Sequence, residues 1–214
     1  PHLVPVCRAF YDDATYVGQI VDDEFYQPNR ASNARPRVLL IGPAQADFKG
    51  IDIGYEAVER ARVLGADFDL IRVSQWLPDD NEPATLAAEF HVALPTAEMS
   101  ALFANADVFL GPSRAEEGFG LPAAEAMAGG VACVLSEIPS FLSWDATHDY
   151  ALFSSDMGAA LAHLLNDEAL RARLVARGRE VVEQFRKERT AERLERWFAE
   201  RRMGFSPSPT RGAG

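Results

Sequence analysis

The stretch Glu116-Glu117-Gly118-Phe119-Gly120-Leu121-Pro122-Ala123-Ala124-Glu125-Ala126-Met127-Ala128-Gly129-Gly130 constrains the chain more than any other. The apolar run Asp107 to Ser113 precedes it, and a second, Val131 to Ser136, follows. Both runs are short and bounded by breakers, as strands buried in a parallel sheet are. Between them the glycines open a turn. Pro122 suits the first turn of a helix, where its missing N–H costs nothing. The Gly129-Gly130 pair suits the end of that helix.

The first N–H groups of such a helix have no partner inside it, so they form a site for an anion at the carboxyl edge of the sheet. Gly118 and Gly120 let a ligand come close to the backbone. Glu117 stands just before the helix and Glu125 inside it. Helical side chains lean toward the N-terminus, so Glu125 can point back to the same place. Free N–H groups and two carboxylates suit a phosphate joined to a polyhydroxy group.

Glu117, seven residues and Glu125, in E-G-F-G-L-P-A-A-E-A-M-A, resemble the E-x7-E signature of the retaining GT-B glycosyltransferases of family GT4. The resemblance implies that Glu117 and the backbone after it, Gly118, Phe119, Gly120 and Leu121, meet the donor sugar. It implies that Glu125 takes the ribose hydroxyls of a nucleotide. It also implies a G-R-x5-K-G loop after the first strand that grips the diphosphate. Gly42, Lys49 and Gly50 match that loop, but Pro43 stands where the Arg belongs. Either another arginine fills in, with Arg114 the candidate, or the donor is held more weakly. The segment Thr15 to Pro28 resembles the family's lead-in to this domain through Asp22, Phe25 and Pro28, with Ile20 replacing a glycine. No obligatory metal and no cofactor are implied.

Lys49 stands out on chemical grounds as well. Of 21 lysines and arginines only Lys49 and Lys187 are lysine. Lys49 sits beside Gly50 after an apolar strand, Arg37 to Gly42, where open α/β sheets bind ligands. A compact ammonium there suits phosphate oxygens.

A net charge of −11 argues against nucleic acid or an anionic membrane as the main partner. The four histidines show no metal-ligand spacing. Cys7 and Cys133 read as reduced thiols of a cytoplasmic protein. No run is long enough to span a bilayer.

The remaining chain alternates strands with helices. A helix starts near Asp52, its N-cap, with Ile53, Ala57, Val58, Ala61 and Leu64 inward and Gly65 as its stop. Asp67 to Ser74 is a second strand, followed by Trp76, which either lines the donor cleft or, as aromatic residues more often do, covers the core. Glu82 to Glu89 reads as a short helix, and Phe90 to Leu94 as a strand whose exit at Val92 and Ala93 would meet the base. Thr96 caps a helix with Met99, Leu102, Phe103 and Ala106 inward. Tyr150 to Ser154 is a last strand, and Asp156 caps Met157 to Leu165. Further helices run over Glu168 to Phe185, where Gly178 leaves room for a bend, and over Glu188 to Arg202.

The fold expected is α/β, a Rossmann-like doubly wound parallel sheet with C-terminal helices, one domain of a GT-B enzyme. Residues 1–36 read as an interdomain linker without a clear amphipathic helix, 37–202 as the domain that binds a nucleotide sugar, and 203–214 as a disordered tail. The function expected is the donor half of a retaining glycosyltransferase, with Glu117 holding the sugar near the reacting carbon. An N-terminal acceptor-binding domain would be the missing partner, and any contact with a membrane would be made through it. The rival readings are a non-catalytic nucleotide-sugar-binding subunit and a relic.

Overall fold

The apolar runs become strands because each can bury both faces. The computed structural model describes residues 2–11, 14–26 and 33–204, the last three by backbone alone. A short helix α1 (Val4–Arg8) comes first, where the sequence suggested none. The domain then runs β1 (Arg37–Ile41), α2 (Ile51–Val63), β2 (Asp69–Ser74), β3 (Glu89–Val92), α3 (Thr96–Ala104), β4 (Val108–Gly111), α4 (Leu121–Ala128) and β5 (Ala132–Leu135). It closes with α5 (Pro139–Leu142), β6 (Leu152–Phe153), α6 (Met157–Asn166), α7 (Glu168–Val182) and α8 (Lys187–Gly204). Pro28 and residues 205–214 of the expected tail lie outside the described residues; 203 and 204 continue α8.

The six strands lie in the order β3-β2-β1-β4-β5-β6, and every neighbouring pair is parallel. The chain winds outward from β1 to β3, returns beside β1 as β4, and winds outward the other way. This is the doubly wound, Rossmann-like sheet expected. The winding reverses between β1 and β4, where Val38, Leu39 and Leu40 pair with Val108, Phe109 and Leu110. Side chains alternate across the sheet. Val38, Leu40, Leu110 and Val134 pack with α2 and α6. Leu39, Phe109, Cys133 and Leu135 pack with α4 and α7.

Several local expectations are corrected. Gly50, in the left-handed conformation, caps α2 in place of Asp52. Asp52 is drawn into an ion pair with Arg114 at 2.6 Å. Pro95 rather than Thr96 precedes α3, and no side chain caps that helix. Asp156 does cap α6, accepting from the Ala159 N–H at 3.1 Å. Residues 82–89 form only a turn of 3-10 helix, Ala84–Leu86. The bend that Gly178 permits is not taken. Gly178 lies inside a continuous helix, and its missing side chain lets α7 approach Met127 of α4, whose Cγ would stand 3.1 Å from a Cβ there. Leu64 is half exposed, because the helix has ended before its side chain can turn inward.

Gly50 joins the two halves of the sheet. Its φ is +61°, and a Cβ there would lie 2.0 Å from the carbonyl oxygen of Pro112, at the exit of β4. A backbone oxygen cannot swing aside as a side chain can. Gly50→Ala is therefore expected to lower stability by roughly 3 kcal/mol, combining left-handed strain with overpacking. Urea denaturation measures this, and an unchanged midpoint would show that the two loops do not depend on this contact.

Candidate functional site

The strands' carboxyl ends open into a cavity of about 650 Å³ at the reversal of winding. Its walls come from the exits of β1 (Ile41, Gly42), β2 (Ser74, Gln75) and β3 (Ala93, Leu94), from the start of α4, and from the segment Gln19 to Phe25. That segment is held by Phe25, buried edge-on against Phe103 with ring centres 5.7 Å apart, and by Asp22, whose carboxylate accepts from the Glu24 N–H. The stretch read as a linker is thus a wall of the cavity.

Two residues meet across the reversal. Lys49 comes from the loop after β1 and Glu117 from the loop after β4; their charged groups lie 2.7 Å apart. Lys49 reaches inward because its stem lies over Gly42, where a Cβ would stand 3.0 Å from Lys49 Cγ. The buried Glu117 carboxylate also accepts from Ser113 Oγ at 3.2 Å. Ser113 was passed over in the sequence. The signal was a hydroxyl at the end of a strand whose exit already mattered.

The start of α4 forms the floor. Gly120 precedes it at φ +83°, and a Cβ there would lie 2.1 Å from the Phe141 ring. Only glycine fits both the dihedral and the gap. Among the described residues, the N–H groups of Gly118, Phe119, Gly120 and Leu121 have no hydrogen-bond acceptor. The Phe119 ring turns away from them, against Trp144 and Phe185 at centroid distances of 5.1 and 5.0 Å. Its side chain anchors the turn and leaves its N–H to the cavity.

Glu125, on α4, also lines the cavity. Among the described residues its carboxyl has no hydrogen-bond partner. Burial, and then the nearby charge of Asp22, push its pKa up to about 7, against a smaller opposing pull from Lys49. Asp22 fitted the lead-in pattern in the sequence, but nothing there showed that it would face Glu125.

Three other residues singled out in the sequence lie elsewhere. Arg114 does not line the cavity: its guanidinium bonds to the Asp52 carboxylate and the Asp47 carbonyl, and it holds Asp52 below the usual carboxylate range. Gly50 acts through its backbone against Pro112. Trp76 covers no core; it is more than half exposed beyond the end of β2. Ile20, in place of the family's glycine, puts an aliphatic side chain on the cavity wall. Among the described residues no three His, Cys, Asp or Glu side chains are grouped to hold a metal ion, and no helix is long and apolar enough to cross a membrane.

The arrangement can hold an anion on N–H groups and an ammonium, with carboxylates beside it for hydroxyls. Comparison with known proteins gives this a family. An MMP alpha-(1->4)-mannosyltransferase of Mycolicibacterium hassiacum is 38% identical over 125 residues, 54% of this chain and 29% of its own length. A phosphatidyl-myo-inositol mannosyltransferase of Mycolicibacterium smegmatis is 29% identical over 191 residues, 83% of this chain and 50% of its own length. The chain thus spans half or less of these relatives. Among solved structures, sucrose-phosphate synthase from Thermosynechococcus elongatus superposes with a TM-score of 0.64 at 22% identity, over 88% of this chain and 51% of that one. The C-terminal domain of a group 1 glycosyl transferase (LpcC) from Francisella tularensis gives 0.58 at 19% identity, over 77% of this chain and 97% of that one. Residues 35–167, more than half of the chain, match the family described as "Glycosyl transferases group 1", and the chain belongs to that family.

Proposed function

We propose that this chain is the donor-binding half of a retaining glycosyltransferase that uses a nucleotide diphosphate sugar. The observation that carries the reading is the convergence, at the reversal of winding, of Lys49, Glu117, Glu125 and the N–H groups at the start of α4, which have no acceptor among the described residues. On this reading the diphosphate rests on the N–H groups of Gly118 to Leu121, and Lys49 exchanges Glu117 for a phosphate oxygen. Both stabilise charge on the leaving diphosphate as the glycosidic bond breaks. Glu125 accepts from the ribose hydroxyls, and the base lies toward Ala93 and Leu94. Glu117, freed from Lys49, holds sugar hydroxyls near the reacting carbon. Attack on the same face as the departing diphosphate gives retention. The acceptor and its binding groups belong to a domain outside this chain, in keeping with the share of its relatives that the chain spans.

The engagement of Arg114 by Asp52 favours a weaker diphosphate grip over a replacement for the arginine missing at Pro43. Glu125 carries a cost on the same reading. Its pKa is raised from 4.5 to about 7, so the folded state resists its ionisation. Stability is full below the unfolded value and falls as the pH rises through the folded one.

Calorimetric titration of the chain with UDP, GDP and ADP and their sugar conjugates tests the assignment. One nucleotide is expected to bind, about 10- to 100-fold more weakly after Lys49→Ala, the range for a lost hydrogen bond to a charged group. Binding of none by the folded chain would sink the reading. In the full-length protein Glu117→Ala is expected to cut turnover by on the order of a hundredfold, and unchanged turnover would remove Glu117 from the mechanism. Glu125→Gln is expected to stabilise the chain by about 3 kcal/mol near pH 8 and by much less near pH 4. A gain in thermal stability that does not grow with pH would show that Glu125 is not held against ionisation.

A further inference from the structure

β2 carries an anomaly. Its burial is complete from Leu70 to Ser74, yet Arg72 stands in the middle, with none of its side chain exposed. A guanidinium inside a parallel sheet is costly unless paired. Its partner is Glu82, from the loop between β2 and β3, whose side chain is 1% exposed. Arg72 Nε donates to Glu82 Oε1 at 2.8 Å, and the Tyr55 hydroxyl of α2 donates to the same oxygen at 3.0 Å. Arg72 Nη1 donates to the carbonyls of Leu40 and Val73. Among the described residues Arg72 Nη2 and Glu82 Oε2 are buried without a partner, so the pair is not optimised for stability.

The loop explains why the pair is there. Residues 75–85 contribute no apolar side chain to the core, and of the rest only Leu86 and Ala87, at the loop's end and partly buried, pack against it. Gln75 to Asp80 are exposed, and Trp76 and Leu77 project into solvent. The loop's other side-chain ties, Gln45 to the Leu77 carbonyl and Arg62 to the Leu86 carbonyl, reach only its backbone. Glu82 is the loop's charged side chain that enters the interior, and the segment before it begins with Gln75, a wall residue of the cavity.

We propose that Arg72, Glu82 and Tyr55 are positioning residues: they hold the segment 75–81, and with it the wall residue Gln75, beside the exits of β2 and β3, and so set the affinity for the nucleoside end of the donor. The inference rests on the donor reading for its ligand, but the anchoring itself does not. A directional anchor fixes where a polar segment lies, whereas an apolar one only buries it. Removing Glu82 alone would strand a buried guanidinium and risk unfolding. The variant to use is Tyr55→Phe/Arg72→Met/Glu82→Ala, which removes the charge with the anchor.

Hydrogen exchange and nucleotide titration of this variant and the parent chain form the test. The amides of 75–88 are expected to exchange at least tenfold faster with β1 and β4 unchanged, and the nucleotide that the parent binds is expected to bind about tenfold more weakly. Unchanged exchange in 75–88 would overturn the anchor. Faster exchange with unchanged affinity would overturn its role in binding. A parent chain that binds no nucleotide defeats the donor reading and with it the affinity claim, while exchange still decides the anchor.

Discussion

Between β1 and β4 the winding of the sheet reverses, so the chain leaves these two adjacent strands in opposite directions. Parallel strands cannot be joined by hairpins, and each crossover returns the chain to the opposite edge. Every strand therefore exits on the same side. At the reversal two exits diverge, and neither connection covers the gap. Lys49 and Glu117 occupy that gap because they belong to the loops on either side of it. Their pairing is a consequence of topology; 67 intervening residues separate them in sequence.

Charge in that gap has to be balanced. An ammonium alone in a partly enclosed site would lose more hydration than its surroundings return. Glu117 supplies the counter-charge in the free chain, and Ser113 takes up more of the carboxylate's hydrogen-bonding capacity. Glu125 is different. It faces Asp22 and finds no donor among the described residues, so it meets the cavity as a group that resists ionisation. One carboxylate is thus satisfied and the other left waiting. On the donor reading this asymmetry has a purpose: a diphosphate must displace Glu117 from Lys49, whereas ribose hydroxyls meet an acceptor with nothing to displace.

The sheet was legible because its strands are short apolar runs, and the floor of the site was legible because Gly118, Gly120 and Pro122 have few other uses in that order. Capping was less so. Asp52 looks like an N-cap by residue type, but Gly50 already holds the left-handed position and Arg114 competes for the carboxylate. Trp76 suggested a core cover because large aromatics are usually buried. Here it follows directly on the end of β2 in an exposed loop, and its ring is more than half exposed. Asp22 and Gln75 were invisible as wall residues because a wall is made by loops far apart in sequence. Arg72 left a signal that was not used, a lone charge inside an apolar strand.

The two loop walls of the cavity are held by different physics. The segment ending at Phe25 is fixed by apolar burial: Val21 and Phe25 lie in the core beneath α3 and α4. A fully buried side chain of this kind contributes about 1.5–3 kcal/mol. The segment after β2 is fixed by an ion pair whose desolvation offsets much of its attraction, and whose two orphan atoms lower the return further. Such a contact fixes a position and adds little to the free energy that keeps the position occupied. Local opening of the cavity would then begin at 75–88 while residues 19–25 stay in place, because local stability follows buried apolar area. A wall placed in that way can yield to a ligand without disturbing the sheet behind it.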